Sequence, residues 1–238
     1  MTMRALVAIC AYNEGTKVRR TIDRHPKERG YELMVMDDGS TDGSLDPSTV
    51  EGVIVLRNDT NLGVGASIKR VFEYAIEHGY DIVALQAGND KDNPLELPRL
   101  LDPITNDEAD FVQGSRFLPG GGYGNTPLYR IFATGVVHPT LLSLALRRRL
   151  TDTTNGFRAM RVSLLQDPRI NWRQDWLNKY ELEPYVLFKT IKLGYRFREA
   201  PVTKVYPPHH LGYTKMKPFT GWWSIMRPIF FLWFGVKH

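Results

Sequence analysis

Two aspartates, Asp37 and Asp38, close an apolar run and are followed at once by Gly39, Ser40 and Thr41. A carboxylate at the end of a buried strand can accept hydrogen bonds from a nucleoside base or ribose, whereas a hydroxyl just after it can cap the amides of the next turn. Asp38 reads as a ligand contact; for Ser40 and Thr41 capping and contact are equally open. The arrangement recurs on both sides. One apolar run ends in Ala11, Tyr12, Asn13 and Glu14, and another leads into Asn61, Leu62 and Gly63. Three successive strand ends thus deliver polar, turn-forming residues to one edge, and that edge is where open α/β sheets bind ligands.

The elements that position these residues follow from periodicity. Short apolar runs alternate with segments of helical period, which predicts a mostly parallel sheet covered by helices. Strands are expected over 5–11, 33–36, 53–56, 81–85 and 111–113. The clearest helix covers 64–78, where Val64, Ile68, Val71, Phe72, Ala75 and Ile76 share a face and Gly79 supplies the stop. Residues 118–127, with four glycines and two prolines, predict an irregular loop; Pro127 then opens a helical stretch toward Leu150. A further helix is expected over 180–192 and a returning strand over 196–205.

With 238 residues, 42% of them hydrophobic and 24% charged, the chain is of ordinary globular composition and of single-domain length. Its one cysteine excludes an internal disulfide framework and favours a reducing compartment. No run approaches the roughly 20 apolar residues of a spanning helix. A net charge of +5 is a weak pointer toward anionic partners. NLGVGAS lacks the Gly-Lys-Ser/Thr of a phosphate loop, and the six histidines show no zinc spacing.

Taken in order, the motifs resemble family 2 glycosyltransferases of GT-A fold, most closely the polyprenyl-phosphate sugar synthases such as dolichyl-phosphate mannose synthase. AYNE at 11–14 is similar to the family's P-x-Y-N-E with Ala11 in place of proline, and DDGSTD at 37–42 is a full match. Asn61 and Gly63 resemble its N-x-G turn, GSRF at 114–117 its G-S-R-[FY], and DTTNGFRAM at 152–160 its D-x-T-S-G-F-R. Glu181 or Glu183 stands where the family places an acidic residue. HHLGYTKMK at 209–217 is similar to R-x-x-G-x-S-K, with Lys215 retained, His209 at the arginine and Thr214 at the serine.

The resemblance implies a Rossmann-like, mostly parallel sheet flanked by helices, spanning 1–218. It also implies inverting transfer of a sugar from a UDP- or GDP-sugar, with Mg²⁺ or Mn²⁺ as cofactor. The implied nucleotide site is Ala11, Tyr12, Asn13, Glu14, Asp37, Asp38, Asn61 and Gly63; the implied catalytic set is Asp152, Arg116 and Lys215. The sequence departs from the family at the metal motif, D-x-D followed by proline, where it reads LQAGNDKDNPLE. Counting back from Pro94 and Glu96 puts Ala87 and Asn89 at the aspartate positions; a one-residue shift puts Gly88 and Asp90 there. Asp90 is the preferred ligand and Asn89 the second, since magnesium at nucleotide sites often uses only one or two carboxylates. Asp92 is a further candidate ligand, with a solvated cap before Pro94 as the favoured alternative, and Lys91 is a candidate stand-in for part of the metal's charge.

Chemically, the acceptor oxygen must be deprotonated and the leaving diphosphate neutralised. A polyprenyl phosphate is already anionic near neutral pH, so Asp152 would then position groups without serving as a base. A growing cell-surface glycan is the alternative acceptor, and a catalytically silent GT-A binding protein is the alternative to an enzyme. The aromatic tail, 219–238, suits either a membrane surface or packing on the domain or a second copy, making a homo-oligomer one outcome and a cytoplasmic, peripherally membrane-associated protein the other. Arg147, Arg148 and Arg149 either complement a helix end or meet anionic lipid or nucleic acid, the helix-end role being favoured. Nucleic acid is not an expected partner.

Overall fold

The computed structural model describes residues 3–45, 50–206 and 220–237. Its main sheet has seven strands in the order β3-β2-β1-β4-β7-β5-β8. These are β1 (Ala5–Ala11), β2 (Glu32–Asp37), β3 (Val53–Arg57), β4 (Ile82–Ala87), β5 (Phe111–Ser115), β7 (Arg158–Arg161) and β8 (Phe197–Pro201). Parallel pairing joins β3, β2, β1 and β4, and β5 with β8. Only β7 runs antiparallel, between β4 and β5.

Helices cover both faces, which is why the central strands read as unbroken apolar runs. Alternate residues of β1 go to opposite cores. Leu6 and Ala8 pack with Met34, Phe72, Trp172 and Tyr185, while Val7 and Ile9 pack with Leu33, Val18, Leu100 and Val112. The first layer is built by α2 (Val64–Glu77), α7 (Leu182–Lys192) and α8 (Thr220–Trp233), and the second by α1 (Thr16–Asp23) and α3 (Leu97–Thr105). In α8, Gly221, Ser224, Pro228 and Ile229 are buried, whereas Trp223 and Trp233, with Phe234 just beyond, are exposed.

The structure corrects the sequence reading in three places. No strand was expected over 158–161, because a strand holding Arg158 and Arg161 gives no apolar run. Arg158 is nonetheless 1% exposed there, answered by the carbonyls of Asn155 and Glu183. The returning strand expected over 196–205 is two. Pro201 ends β8, and β9 (Thr203–Val205) pairs in parallel with β6 (Gly122–Gly124) inside the stretch read as irregular. The helix expected from 127 to 150 is α4 (Leu128–Phe132), a π-helical turn (Ala133–Val137) and α5 (His138–Leu146). Pro139 has no amide and its ring crowds the carbonyl of Gly135; the wider turn there relieves that clash.

Candidate active site

The carboxyl-end loops of β1, β2 and β3 are braced to one another by short-side-chain hydrogen bonds. Asn13, in left-handed backbone (φ 47°), donates its amide to Ser40 Oγ (2.9 Å) and accepts from the Thr41 amide (2.8 Å). The amide of Gly15 donates to Asp42 (3.0 Å), that of Asp38 to the Ala11 carbonyl (2.9 Å), and that of Asn58 to the Asp37 carbonyl (2.9 Å). Gly39 (φ 73°) permits the turn, since a Cβ there would lie 2.6 Å from the Thr60 backbone.

Inside this cradle the two aspartates do different work. Both oxygens of Asp38 serve the chain itself. One accepts from Asn58 Nδ2 (2.7 Å) and the Leu62 amide (2.9 Å), the other from the Gly63 amide (2.9 Å). It therefore shapes the 58–63 loop that carries Asn61. Asp37 gives one oxygen to the amide and hydroxyl of Ser40; the other, 3.5 Å from Arg57 Nε, is buried with no hydrogen bond. Glycine at 63 is required by close approach, because a Cβ there would sit 2.6 Å from the Asn178 carbonyl.

Beyond β4 the segment 88–93 holds the altered metal motif. The Asp90 carboxylate is bound by Arg20 Nε (3.0 Å) and Arg24 Nη1 (2.8 Å), so ligating a cation would mean leaving two guanidinium partners. Asp92, fully buried, pairs with Lys204 Nζ (2.5 Å). Asn89 Oδ1 is buried and without a hydrogen-bond partner, a hard oxygen suited to a cation that takes its remaining ligands from phosphate and water. Among the described residues no three His, Cys, Asp or Glu side chains group as a metal cage.

Lys91 is 9% exposed, with its ammonium 4.2 Å from the Tyr206 ring centre. Burial pushes it down to about 8, Lys204 and Arg130 add to that, and Glu14 opposes it. Arg130 bonds the Tyr206 hydroxyl (3.2 Å), while its Nε is buried without a partner. Cations thus gather beside the Asn89 segment, as a site for a polyanion requires. Cys10, at the end of β1, is pushed up to about 12 by burial and stays a neutral thiol.

Arg116, just past β5, makes a two-pronged pair with Asp152: Nε to Oδ2 at 2.6 Å and Nη2 to Oδ1 at 2.8 Å. The Arg116 amide also donates to Asp152, and Nη2 reaches Thr154 Oγ1 (2.8 Å). Burial works against the guanidinium charge, but Asp152 outweighs it, and the Arg116 pKa lies above the ordinary arginine value. Glu199 of β8 fixes the turn below, accepting from the amides of Thr151 (2.9 Å) and Asp152 (3.0 Å). Burial raises the Glu199 pKa, opposed by those bonds. Asp152 and Arg158 both lie within electrostatic reach of His138, and Arg116 within reach of Asp92 and Tyr206.

Glu181 and Glu183 separate in role. Glu181 holds α8 through Ser224 Oγ (2.5 Å) and Arg227 (2.5 Å), whereas Glu183 pairs with Arg158 (3.3 Å) and acts electrostatically on Cys10. Lys215, with His209 and Thr214, lies outside the described residues. Glu199 stands in the stretch 196–201 that resembles the family's K-x-x-E-V-P, but sequence reasoning gave it no role, and it passed over Lys204, Asn58 and Arg130.

An open α/β sheet with a braced loop cradle at its carboxyl edge and a cation cluster beside it is the GT-A form of a nucleotide-sugar transferase. The chain belongs to glycosyl transferase family 2, whose profile matches residues 6–167, and it is a glycosyltransferase. It is 32% identical over 222 residues to undecaprenyl-phosphate mannosyltransferase of Micrococcus luteus, covering 90% of this chain and 88% of that protein. It is 29% identical over 225 residues to polyprenol monophosphomannose synthase of Mycolicibacterium smegmatis, covering 90% and 82%. In structure it resembles glucosyl-3-phosphoglycerate synthase of Mycobacterium tuberculosis, crystallised with Mn²⁺, UDP and glucosyl-3-phosphoglycerate (TM-score 0.68, 19% identity, 100% of this chain and 81% of that one).

Proposed function

We propose that this enzyme moves a hexose from a nucleotide-diphosphate sugar to a polyprenyl phosphate at a membrane surface, inverting the anomeric centre. An oxygen of the acceptor phosphate attacks the anomeric carbon, the bond from that carbon to the diphosphate oxygen breaks, and the nucleoside diphosphate leaves. Asp152 carries this reading. Both its oxygens are engaged by Arg116, so the acid at the acceptor end orients a cation and does not stand ready to take a proton. A phosphate acceptor needs no base, and a fixed guanidinium suits it; a glycan hydroxyl needs one. The likeness to two polyprenyl-phosphate mannosyltransferases along most of their length supports the same acceptor.

The cradle of Ala11, Tyr12, Asn13 and Glu14 with Asp37, Asp38, Asn61 and Gly63 takes the nucleoside, UDP or GDP. Asp37 offers the acceptor oxygen that no hydrogen bond occupies, and Asp38 holds the loop. Mg²⁺ or Mn²⁺ belongs to this reading, with Asn89 as its protein ligand and Asp90 joining only on release from Arg20 and Arg24. When bound, the cation neutralises charge on the departing diphosphate. Lys91 supplies positive charge in the same region without any cation, and Lys215 is assigned to the leaving diphosphate by its motif.

The test is incubation of the purified protein with UDP- and GDP-sugars, Mn²⁺ and undecaprenyl phosphate. A lipid-linked sugar of inverted anomeric configuration is expected with one donor. A retained configuration, or donor hydrolysis unaffected by the lipid, overturns the proposal.

A further inference from the structure

Segment 88–93, which follows β4, is clamped to α1 through Asp90, a residue in left-handed backbone (φ 58°). The Asp90 amide donates to Thr21 Oγ1 (3.1 Å), while its carboxylate accepts from Arg20 Nε on one oxygen (3.0 Å) and from Arg24 Nη1 on the other (2.8 Å). Arg20 and Arg24 stand four residues apart and so share one face of the helix. The neighbouring charges are engaged elsewhere: Arg19 pairs with Asp23 (2.9 Å) and Lys17 with Glu14 (4.0 Å). Upstream, the Gly88 amide donates to the Cys10 carbonyl (2.8 Å), and a Cβ on Gly88 would lie 2.9 Å from that of Ala11. Asn89 is thus fixed from both sides, by Gly88 on β1 and by Asp90 on α1.

A divalent cation of this kind takes hard oxygens, and each anionic ligand tightens its hold. Asn89 offers one neutral oxygen, buried and without a hydrogen-bond partner. The segment contains two carboxylates, and both already have cations of the chain's own: Asp92 is buried against Lys204, and Asp90 has a guanidinium on each oxygen. The two pairs differ in what depends on them. Lys204 and Asp92 are both buried, whereas the side chains of Arg20 and Arg24 are 55% and 42% exposed, so Asp90 can be released without stranding a charge in the core.

We propose that Arg20 and Arg24 weaken the donor site's hold on a divalent cation by keeping Asp90 as their ion-pair partner, and that the same contacts position Asn89 and Lys91 for the donor diphosphate. Both arginines are positioning residues, acting through Asp90. Taking them away gives the site an anionic ligand next to Asn89 and removes the brace of the segment. Two affinities therefore move in opposite directions: that for Mn²⁺ rises, and that for nucleoside diphosphate in the absence of metal falls. A merely structural role for the arginines would lower both. The inference rests on the proposed donor site and adds the residues that set how strongly that site depends on a cation.

The test titrates Mn²⁺ into the full chain with UDP or GDP present, following the free ion by electron paramagnetic resonance, and titrates the nucleotide alone in EDTA by calorimetry. Arg20→Gln with Arg24→Gln should bind Mn²⁺ about tenfold more tightly than wild type, and nucleotide in EDTA about threefold more weakly. Each arginine gives Asp90 a single contact, so Arg20→Lys with Arg24→Lys should keep both affinities within about threefold of wild type. Asp90→Asn should lower Mn²⁺ affinity about tenfold in the Gln background and less than about twofold in the native one; a general change of charge would lower it equally in both. A Mn²⁺ affinity that stays level or falls in the Gln variant, or equal effects of Asp90→Asn in the two backgrounds, overturns the proposal. Unaltered nucleotide affinity in EDTA overturns the positioning role. The expected gain in Mn²⁺ affinity, with no transfer to any prenyl phosphate, instead sinks the proposed acceptor and leaves the arginine pair standing.

Discussion

The proposed donor cradle and the proposed acceptor end are built by opposite means. The cradle is made of backbone amides and short side chains from consecutive strand ends: Asn13 with Ser40 and Thr41, Gly15 with Asp42, Asp38 with Leu62 and Gly63. The acceptor end is made of buried charges from distant segments: Arg116 with Asp152, Glu199 with Thr151, Lys204 with Asp92. Loops held by many separate amide bonds tolerate the loss of one. A buried ion pair does not tolerate the loss of one partner, because the other charge is stranded in a medium of low dielectric.

That contrast sets the largest effect. Arg116→Met leaves Asp152 buried and uncompensated, and should cost about 3–5 kcal/mol of stability by denaturant unfolding. Transfer should be lost, while nucleotide affinity in the surviving folded fraction stays within about twofold of wild type. A comparable loss of nucleotide affinity would break the separation of the two ends.

Acid should act next, and on the acceptor side. His138 accepts from Thr153 Oγ1 (2.6 Å) when its other nitrogen donates to the Ile225 carbonyl (3.3 Å), tying the 152–154 turn to α8. Burial lowers its pKa from 6.5 to about 4. The unfolded chain therefore binds the proton first, and stability is full above pH 6.5 and falls as pH drops toward 4, by up to about 3 kcal/mol. His25, lowered to about 4 by burial, acts in the same direction. Urea unfolding across this window checks the slope, and His138→Gln should remove part of it; a flat profile would mean the imidazole is already charged in the fold.

Asp38→Ala removes the acceptor for three donors and should cost about 2 kcal/mol, with a loss of nucleotide affinity and an acceptor affinity left alone. Asp37→Asn should keep stability nearer wild type and lower nucleotide affinity. If the two variants exchange these phenotypes, Asp38 is the nucleoside contact after all. The smallest effect belongs to Lys91→Met, for which nucleotide affinity in EDTA should fall about tenfold with the fold retained. Unchanged affinity there would place the diphosphate elsewhere.

The same contrast explains what could be read from the sequence. Strand ends announce themselves, because an apolar run followed by Asp-Asp-Gly-Ser or Asn-Leu-Gly is a local pattern, and β1 appears over the expected residues, Ala5–Ala11. Lys204 was invisible and the role of Glu199 hidden, since their partners Asp92 and Thr151 lie 112 and 48 residues away. Strand β7 was hidden by Arg158, whose burial makes sense only once Glu183 and Asn155 are in place. That Arg20 and Arg24 pair with the Asp90 carboxylate could not be read from a motif about 70 residues away.

The most direct measurement is competition between a prenyl phosphate and the matching prenyl alcohol for labelled sugar, at equal concentration with the preferred donor. Because Asp152 is bound to Arg116 and the acceptor must bring its own negative charge, label should pass to the phosphate and not to the alcohol. Transfer to the alcohol at a similar rate would show a working base at the acceptor end and contradict the account.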